Sequence, residues 1–328
     1  MLPTAVKDIP YLMLEEIDFS SAEKRMKCST RQAPFIATKL KPPTDDDFFT
    51  EIAEESTSKP VILSLVAPHN DQFAQSSDQL PLPLQTIFST KHLQLNYVQL
   101  LGLAKDYIPK SLTINQQEHL EELTRLQSKS KLWFKYRAGR ITGSQVYQVV
   151  RTDPHKPALS TVSTVCYPEA CQFTSAATNY GCQHEEDVVK AYKQLQSDGH
   201  DQPLVTPCGF IVSVDKPLIG ASPDAFVECK CCGHGVLEVK CPFCARSSTT
   251  MDLPKFYLAK AQDGSLHLKH DHAYYYQCQL ELYATQRSYC DFVVWTEDNL
   301  HIERISKNET FLKEIIPWVE KFFKLCVT

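Results

Sequence analysis

Two short β-type runs at residues 225–229 and 236–239, joined through Cys232-Gly-His-Gly235, constrain this chain more than any other feature it contains. Runs rich in β-branched and aromatic residues on either side of a glycine-containing turn pair as an antiparallel hairpin. Side chains alternate along a strand, so Glu238 and Lys240 leave on one face. Ser222-Pro-Asp224 directly precedes the first run, and a hairpin turning between Gly233 and Gly235 can bring Asp224 beside them. A third run at 210–214, set off by Asp215-Lys-Pro217, extends the hairpin into an antiparallel meander.

Helical patterns surround this meander. Thr113-Ile-Asn-Gln-Gln-Glu118 offers a cap, and Leu120, Leu123 and Leu126 follow at helical spacing. A further helix is expected after Gly143. Residues 180–192 read as a helix with Val188, Ala191 and Tyr192 on its buried side and Glu185 one turn earlier. Tyr276, Leu280 and Tyr283 mark a helix over 274–285. Strands are expected at 290–296 and 300–305, and an amphipathic helix over 309–326 closes the chain. Mixed strands flanked by helices define an α/β (α+β) class with a central mixed sheet. Residues 1–110 differ, with prolines, Asp45-Asp46-Asp47, a polar stretch at 72–79 and apolar islands at 61–66 and 93–103. They read as an irregular, partly helical N-terminal extension, and the domain boundary is placed between 110 and 111.

With 43% hydrophobic content, the 328 residues suffice for one large core or two modest ones. No stretch approaches the roughly 20 apolar residues of a membrane-spanning helix, so no membrane association is expected. A formal net charge of -5 excludes coating nucleic acid by bulk electrostatics, and any such contact must come from a local cluster. Lys129, Lys131, Lys135, Arg137 and Arg140, interleaved with Trp133, Phe134 and Tyr136, suit phosphate contacts and equally suit a solvated helix face. The 13 cysteines are an odd number. With no secretory signal over residues 1–10 they favour reduced thiols in an intracellular compartment. Cys229-Lys-Cys-Cys-Gly-His234, with Cys241 and Cys244 nearby, holds zinc-type ligands, but adjacent cysteines in a short hairpin rarely complete a tetrahedron without a second pair from elsewhere. Free thiols in a turn are expected, and structural zinc is not.

Carboxylate oxygens with open water positions suit Mg2+, and a bound divalent ion both activates a water and neutralises charge on a phosphate. A lysine beside them adds a point charge for the attacking water or a phosphoryl oxygen. Alone, an E-x-K pair is far more often a surface ion pair on an edge strand, with Asp224 a turn residue. The order of elements favours the metal reading. Glu185 on a preceding helix can add a carboxylate, and Gln277 on a following helix can add a neutral ligand or phosphate contact. Gln279 diverges from Gln277 by about 200° on a helix and is read as a flank residue. His184 is read as a neighbour of Glu185 only, and Tyr276 as core.

The segments Trp133…Arg137…Ile141-Thr-Gly-Ser144, Gly181…Glu185, Ser222-Pro-Asp224, Leu237-Glu-Val-Lys-Cys-Pro-Phe243 and Tyr274-Tyr-Tyr-Gln277-Cys-Gln279 resemble, in order and spacing, the YqaJ-type viral recombinase (lambda-exonuclease-like) family of the PD-(D/E)xK nucleases, in its animal-genome version. The resemblance covers residues 113–296 and implies a restriction-endonuclease-like core within 111–328. It implies hydrolysis of DNA phosphodiester bonds, in the 5′-to-3′ direction on double-stranded ends. Endonuclease, RNA-cutting and catalytically silent end-binding readings stay open beside it. It implies further that Glu185, Asp224, Glu238 and the Val239 carbonyl ligate two Mg2+ or Mn2+ ions and that Lys240 is the catalytic lysine. Arg137 and Ser144 would hold the 5′-phosphate of a DNA end, with Ser222 and Gln277 lining the same pocket. Arg140, from the same cationic run, joins the DNA-contacting set. Double-stranded DNA ends, a single-strand-annealing recombination protein and further copies of the chain are the implied partners. Ala225 stands where the family usually has glycine, which can shift the turn slightly.

Overall fold

The computed structural model describes residues 45–56, 60, 62–63, 66, 80–87, 89–107, 109–246 and 256–328. Residues 1–10 and the polar stretch 72–79 lie outside them. The chain divides into two compact units, 1–73 and 74–328. The first holds helix α1 (Asp45–Glu55). The second runs through α2 (Tyr97–Asp106), α3 (Ile114–Leu123), α4 (Lys131–Arg137), β1 (Ile141–Thr142), α5 (Gly143–Arg151), α6 (Leu159–Cys166) and the long α7 (Ala176–Gly199). Strands β2 (Leu204–Pro207), β3 (Ile211–Val212), β4 (Ile219–Ala221), β5 (Ala225–Cys229) and β6 (Gly233–Lys240) follow. After the small hairpin β7 (Leu258–Lys260) and β8 (Leu266–Leu268) come α8 (Ala273–Thr285), β9 (Tyr289–Trp295), β10 (Leu300–Ser306) and α9 (Glu309–Cys326). No helix among the described residues is long and apolar enough to cross a membrane.

The central sheet has the order β10-β9-β6-β5-β2. Its pairs are antiparallel except β6 with β9, which run parallel. Parallel neighbours need a crossover, and the segment through α8 supplies it. β6 and β9 are buried along nearly their whole length, as strands covered on both faces must be. Leu237, Val239 and Val293 pack with Val188 and Tyr192 of α7, while Val236, Phe292 and Val294 pack with Tyr275, Cys278 and Leu282 of α8. The alternation that buries these residues is what turns Glu238 and Lys240 together toward the α8 side. α7 is pinned further by a buried network. Asp291 of β9, 1% exposed, accepts the Tyr192 hydroxyl proton and two Arg304 N–H bonds of 2.7 and 2.8 Å.

The three-run meander does not form. Residues 210–214 contribute β3 to a separate sheet of order β1-β4-β3, because the chain after Val212 doubles back through residues 213–218 and pairs with β4. The edge of β5 is taken instead by β2, a run too short and too exposed to stand out in the sequence. Two helix faces also differ from expectation. α3 ends at Leu123, where Thr124 turns its hydroxyl back onto the Leu120 carbonyl, so Leu120 is buried while Leu123 and Leu126 stay exposed. On α7 the buried stripe is Val188, Tyr192 and Gln196, and Ala191 faces out. Gln279 is no flank residue. It is fully buried, donates to the Ser306 carbonyl and accepts from the Asn308 N–H, fastening α8 to the start of α9. Residues 80–112 pack into the same unit, since Leu84 and Leu112 each enter a hydrophobic cluster with residues beyond 113.

Candidate active site at the end of the central sheet

The hairpin delivers its chemistry where β5 begins and β6 ends. Asp224 immediately precedes β5; its N–H bonds the Leu237 carbonyl, and its carboxylate accepts the Val239 N–H at 2.6 Å. A strand residue sends its N–H and C=O out on the same edge, so the Val239 carbonyl emerges on the Asp224 side. Gln127 holds the preceding turn by donating to the carbonyls of Pro223 and Cys208, at 3.0 and 2.9 Å. Ala225 sits in regular strand backbone opposite Leu237 and is not among the described residues with positive φ, so the position needs no glycine.

Glu238 is 3% exposed. Its Oε1 accepts from the Lys240 ammonium and, at 2.6 Å, from the Gln277 side-chain amide; its Oε2 has no protein partner. Glu185 reaches in from α7, close enough to Asp224 and Glu238 for the charges of the three to act on one another. Burial, then the nearby Glu238, raises the pKa of both Glu185 and Asp224, against Lys240, which lowers it. Burial acts to lower the Lys240 pKa, but the pull of Glu238 and Asp224 outweighs it and the ammonium titrates well above its ordinary range. Its Nζ lies 5.0 Å from the Tyr274 ring centroid.

One member of the cluster escaped the sequence reading. Gln277 Nε2 also donates to Glu281 Oε1 at 2.9 Å, which sets an amide between two buried carboxylates. Glu281 is 1% exposed, and burial followed by Glu238 raises its pKa well above the usual range. Its signal was the i,i+4 spacing from Gln277 on a helix already expected. Gly143 makes the approach of α5 possible, because a Cβ there would stand 3.0 Å from Gln277 Cγ and from Glu281 Oε1.

A second group gathers beside this one. The Arg137 guanidinium lies over the Trp133 ring, 4.1 Å from its centroid, and donates to Thr142 Oγ1 and Ser144 Oγ at 3.2 and 3.4 Å. Burial draws its pKa down to about 10, against Glu281, which raises it. Ser222 acts on the same group through Trp133, accepting the indole N–H at 2.9 Å. Ser144 stays exposed in the first turn of α5. A cleft of about 410 Å3 lined by Trp133, Arg137, Gln145, Thr178 and Cys182 shares the last two residues with one of about 370 Å3 lined by Glu185, Val239, Lys240 and Tyr274. The Arg137 guanidinium and the Glu185 carboxylate thus open onto neighbouring stretches of the α7 surface.

Arg140 does not belong to this group. It is 1% exposed, and its guanidinium donates to the carbonyls of Pro217, Tyr136 and Leu82. Three of its five N–H donors are spent on backbone carbonyls, and burial keeps the guanidinium from a phosphate. Of the rest of the cationic run, Lys129, Lys131 and Lys135 are exposed while Trp133, Phe134 and Tyr136 are buried. His184 stacks on Trp295 at 4.8 Å between centroids. Tyr276 is half-buried and packs edge-on against Tyr147, whereas Tyr275 is the buried member of its trio.

The chain is similar to several known proteins. A relative from Acanthamoeba polyphaga mimivirus is 23% identical over 258 residues, 75% of this chain, and the chain spans only 42% of that relative's length. The crystal structure of an alkaline exonuclease from Laribacter hongkongensis is 24% identical, with a TM-score of 0.43, covering 59% of this chain and 90% of that one. The shutoff and exonuclease protein of Kaposi's sarcoma-associated herpesvirus is 14% identical, with a TM-score of 0.43, covering 85% and 92%. The model of the YqaJ-like viral recombinase domain matches residues 132–288, a span that contains Arg137, Glu185, Asp224, Glu238, Lys240 and Gln277. That match to the YqaJ-like viral recombinase domain spans slightly less than half of the chain.

Proposed function

We propose that the protein is a divalent-metal-dependent deoxyribonuclease that digests double-stranded DNA from its ends in the 5′-to-3′ direction, with its active-site side chains contributed by residues 111–328. The observation that carries this reading is the convergence of Glu185, Asp224 and Glu238 with Lys240, Glu238 keeping a buried oxygen that no protein group satisfies. An unsatisfied buried acceptor is unfavourable by about 1–3 kcal/mol, more when charged, and hard oxygen donors of this kind suit Mg2+ or Mn2+. Glu185, Asp224, Glu238 and the Val239 carbonyl would hold two such ions, whose chemistry when bound is to activate water and to neutralise charge on a phosphate.

The chain's own groups supply the rest. Lys240 keeps its proton at neutral pH, because the carboxylates around it raise its pKa, and a fixed cation there suits a phosphoryl oxygen or the attacking water. Gln277 orients the Glu238 carboxylate through its amide. Arg137, held over the Trp133 ring and beside the Ser144 hydroxyl, suits a terminal 5′-phosphate, with the N-terminal turn of α5 adding backbone donors. Anchoring that phosphate while the neighbouring cleft cuts the next linkage would fix the direction of digestion.

The test offers the protein 5′-phosphorylated linear duplex, a nicked circle and labelled RNA, with and without Mg2+. Mg2+-dependent release of nucleotides from the linear duplex alone is expected. Cutting of the circle or the RNA would establish an endonuclease or ribonuclease, and no cutting with DNA still bound an inert end-binder. Lys240→Ala is expected to abolish cutting with DNA binding retained. Arg137→Ala is expected to erase the preference for a phosphorylated over a hydroxyl 5′ end, and an unchanged preference removes the anchor.

A further inference from the structure

At the far end of α7 a second set of metal-type ligands meets. Cys229 closes β5, Cys231 and Cys232 form the turn into β6, and His200 caps the C-terminus of α7. His234, the imidazole that the sequence placed with these cysteines, faces Glu228 instead, at 3.4 Å. Cys241, by contrast, lies at the carboxylate cleft. The ligand sulfurs and the His200 ring nitrogen all lie within 4.8 Å of one another. His200 Nδ1 is 3.6, 3.2 and 3.4 Å from the sulfurs of Cys229, Cys231 and Cys232, and Cys231 Sγ is 3.4 and 3.8 Å from the sulfurs of Cys229 and Cys232.

These five edges lie within about 0.4 Å of those of a tetrahedron with zinc at its centre, and the sixth, between Cys229 and Cys232, is at most 4.8 Å. Usual Zn–S and Zn–N bonds of about 2.3 and 2.0–2.1 Å give edges of about 3.8 Å between sulfurs and about 3.5 Å from sulfur to nitrogen. We propose that His200, Cys229, Cys231 and Cys232 form a structural zinc site that fastens α7 to the β5–β6 hairpin. A His/Cys3 donor set leaves no open position, which marks a structural rather than a catalytic centre.

The surroundings fit a thiolate–zinc centre. The Cys232 N–H points at Cys229 Sγ, at 3.3 Å, the outer-shell bond that steadies a thiolate ligand. The Lys230 N–H bonds the Asp201 carbonyl at 2.9 Å, tying the turn to the residue after His200. Gly233, at φ +78°, supplies the left-handed step that returns the chain into β6. Glu185 lies fifteen residues before His200 on one helix, about 22 Å away by helical rise, so the zinc is remote from the carboxylates. Its effect on them is mechanical: it joins the helix that carries Glu185 to the hairpin that carries Asp224, Glu238 and Lys240.

The proposal is independent of the nuclease reading and is tested on the full chain. Zinc content is measured by plasma mass spectrometry after dialysis, and Co2+ is titrated into metal-stripped protein. About one zinc per chain is expected, with thiolate-to-cobalt charge transfer and d–d bands of tetrahedral intensity. Cys231→Ser and His200→Ala are each expected to lower zinc affinity by at least about tenfold, while Asp224→Asn leaves content and spectrum unchanged. Zinc at protein-free background with no charge-transfer band in the wild type would overturn the assignment, a readout that needs no variant to fold. So would zinc that is lost in Asp224→Asn and kept in Cys231→Ser, or a mass two hydrogens light that reports a disulfide among the cysteines.

Discussion

Adding a divalent cation to the metal-free protein should stabilise it, and the gain should grow with pH. Glu185, Asp224 and Glu281 all have pKa values raised by burial and by the charge of Glu238. A carboxyl raised in the folded state holds its proton there after the unfolded chain has released it, so metal-free stability falls as pH climbs from the ordinary carboxylate range through the raised folded values. A cation that binds the ionised cluster reverses that slope. At one hundred times its dissociation constant a ligand specific for the native state contributes about 2.7 kcal/mol, and at roughly 2–4 °C per kcal/mol for a unit of this size the melting temperature should rise by about 5–11 °C. The assay is a thermal melt at pH 6 and pH 8 with and without Mg2+, chosen because thiolates do not hold it. Asp224→Asn should lose most of the shift. An equal shift in that variant, or none in the wild type at pH 8, refutes the claim that these carboxylates share a cation.

Other perturbations test how the site is held. Asp291→Ala strands the Tyr192 hydroxyl and the Arg304 guanidinium, and urea unfolding should show a loss of about 3 kcal/mol, the low end for a broken buried pair, because the Arg304 side chain keeps 36% of its exposure. Gly143→Ala puts a methyl 3.0 Å from Gln277 Cγ and Glu281 Oε1. Overpacking of this kind is expected to lower stability by about 1–3 kcal/mol and to slow DNA cleavage by displacing Gln277 from Glu238. Unchanged unfolding and cleavage would mean that α5 and α8 are not in close contact.

The sequence made the hairpin legible because strand period, turn glycines and charged residues agreed there, and β5 runs over the expected residues. α9 likewise spans the expected 309–326, since Leu312, Ile315, Val319, Phe322 and Phe323 keep one helical face. β2 and β4 were missed because strands of three or four residues carry too few side chains to show a period. Arg140 was misjudged for a different reason. A cationic run does not reveal which member turns inward, and only the carbonyls of residues distant in sequence decide it. His200 was likewise invisible beside the cysteines, being 29 residues from Cys229. Charge type and spacing therefore found the carboxylates, while partners contributed by the fold stayed hidden.

The grip of Arg140 on the Leu82 carbonyl bears on how the protein can be shortened. A chain begun at residue 111 would keep every ligand of the carboxylate cluster, yet it would strip an acceptor from a buried guanidinium and withdraw Leu84 from the cluster it shares with Ile141 and Phe322. The smallest piece that refolds should therefore start upstream of residue 80, and one trimmed to the domain match alone should collect in inclusion bodies.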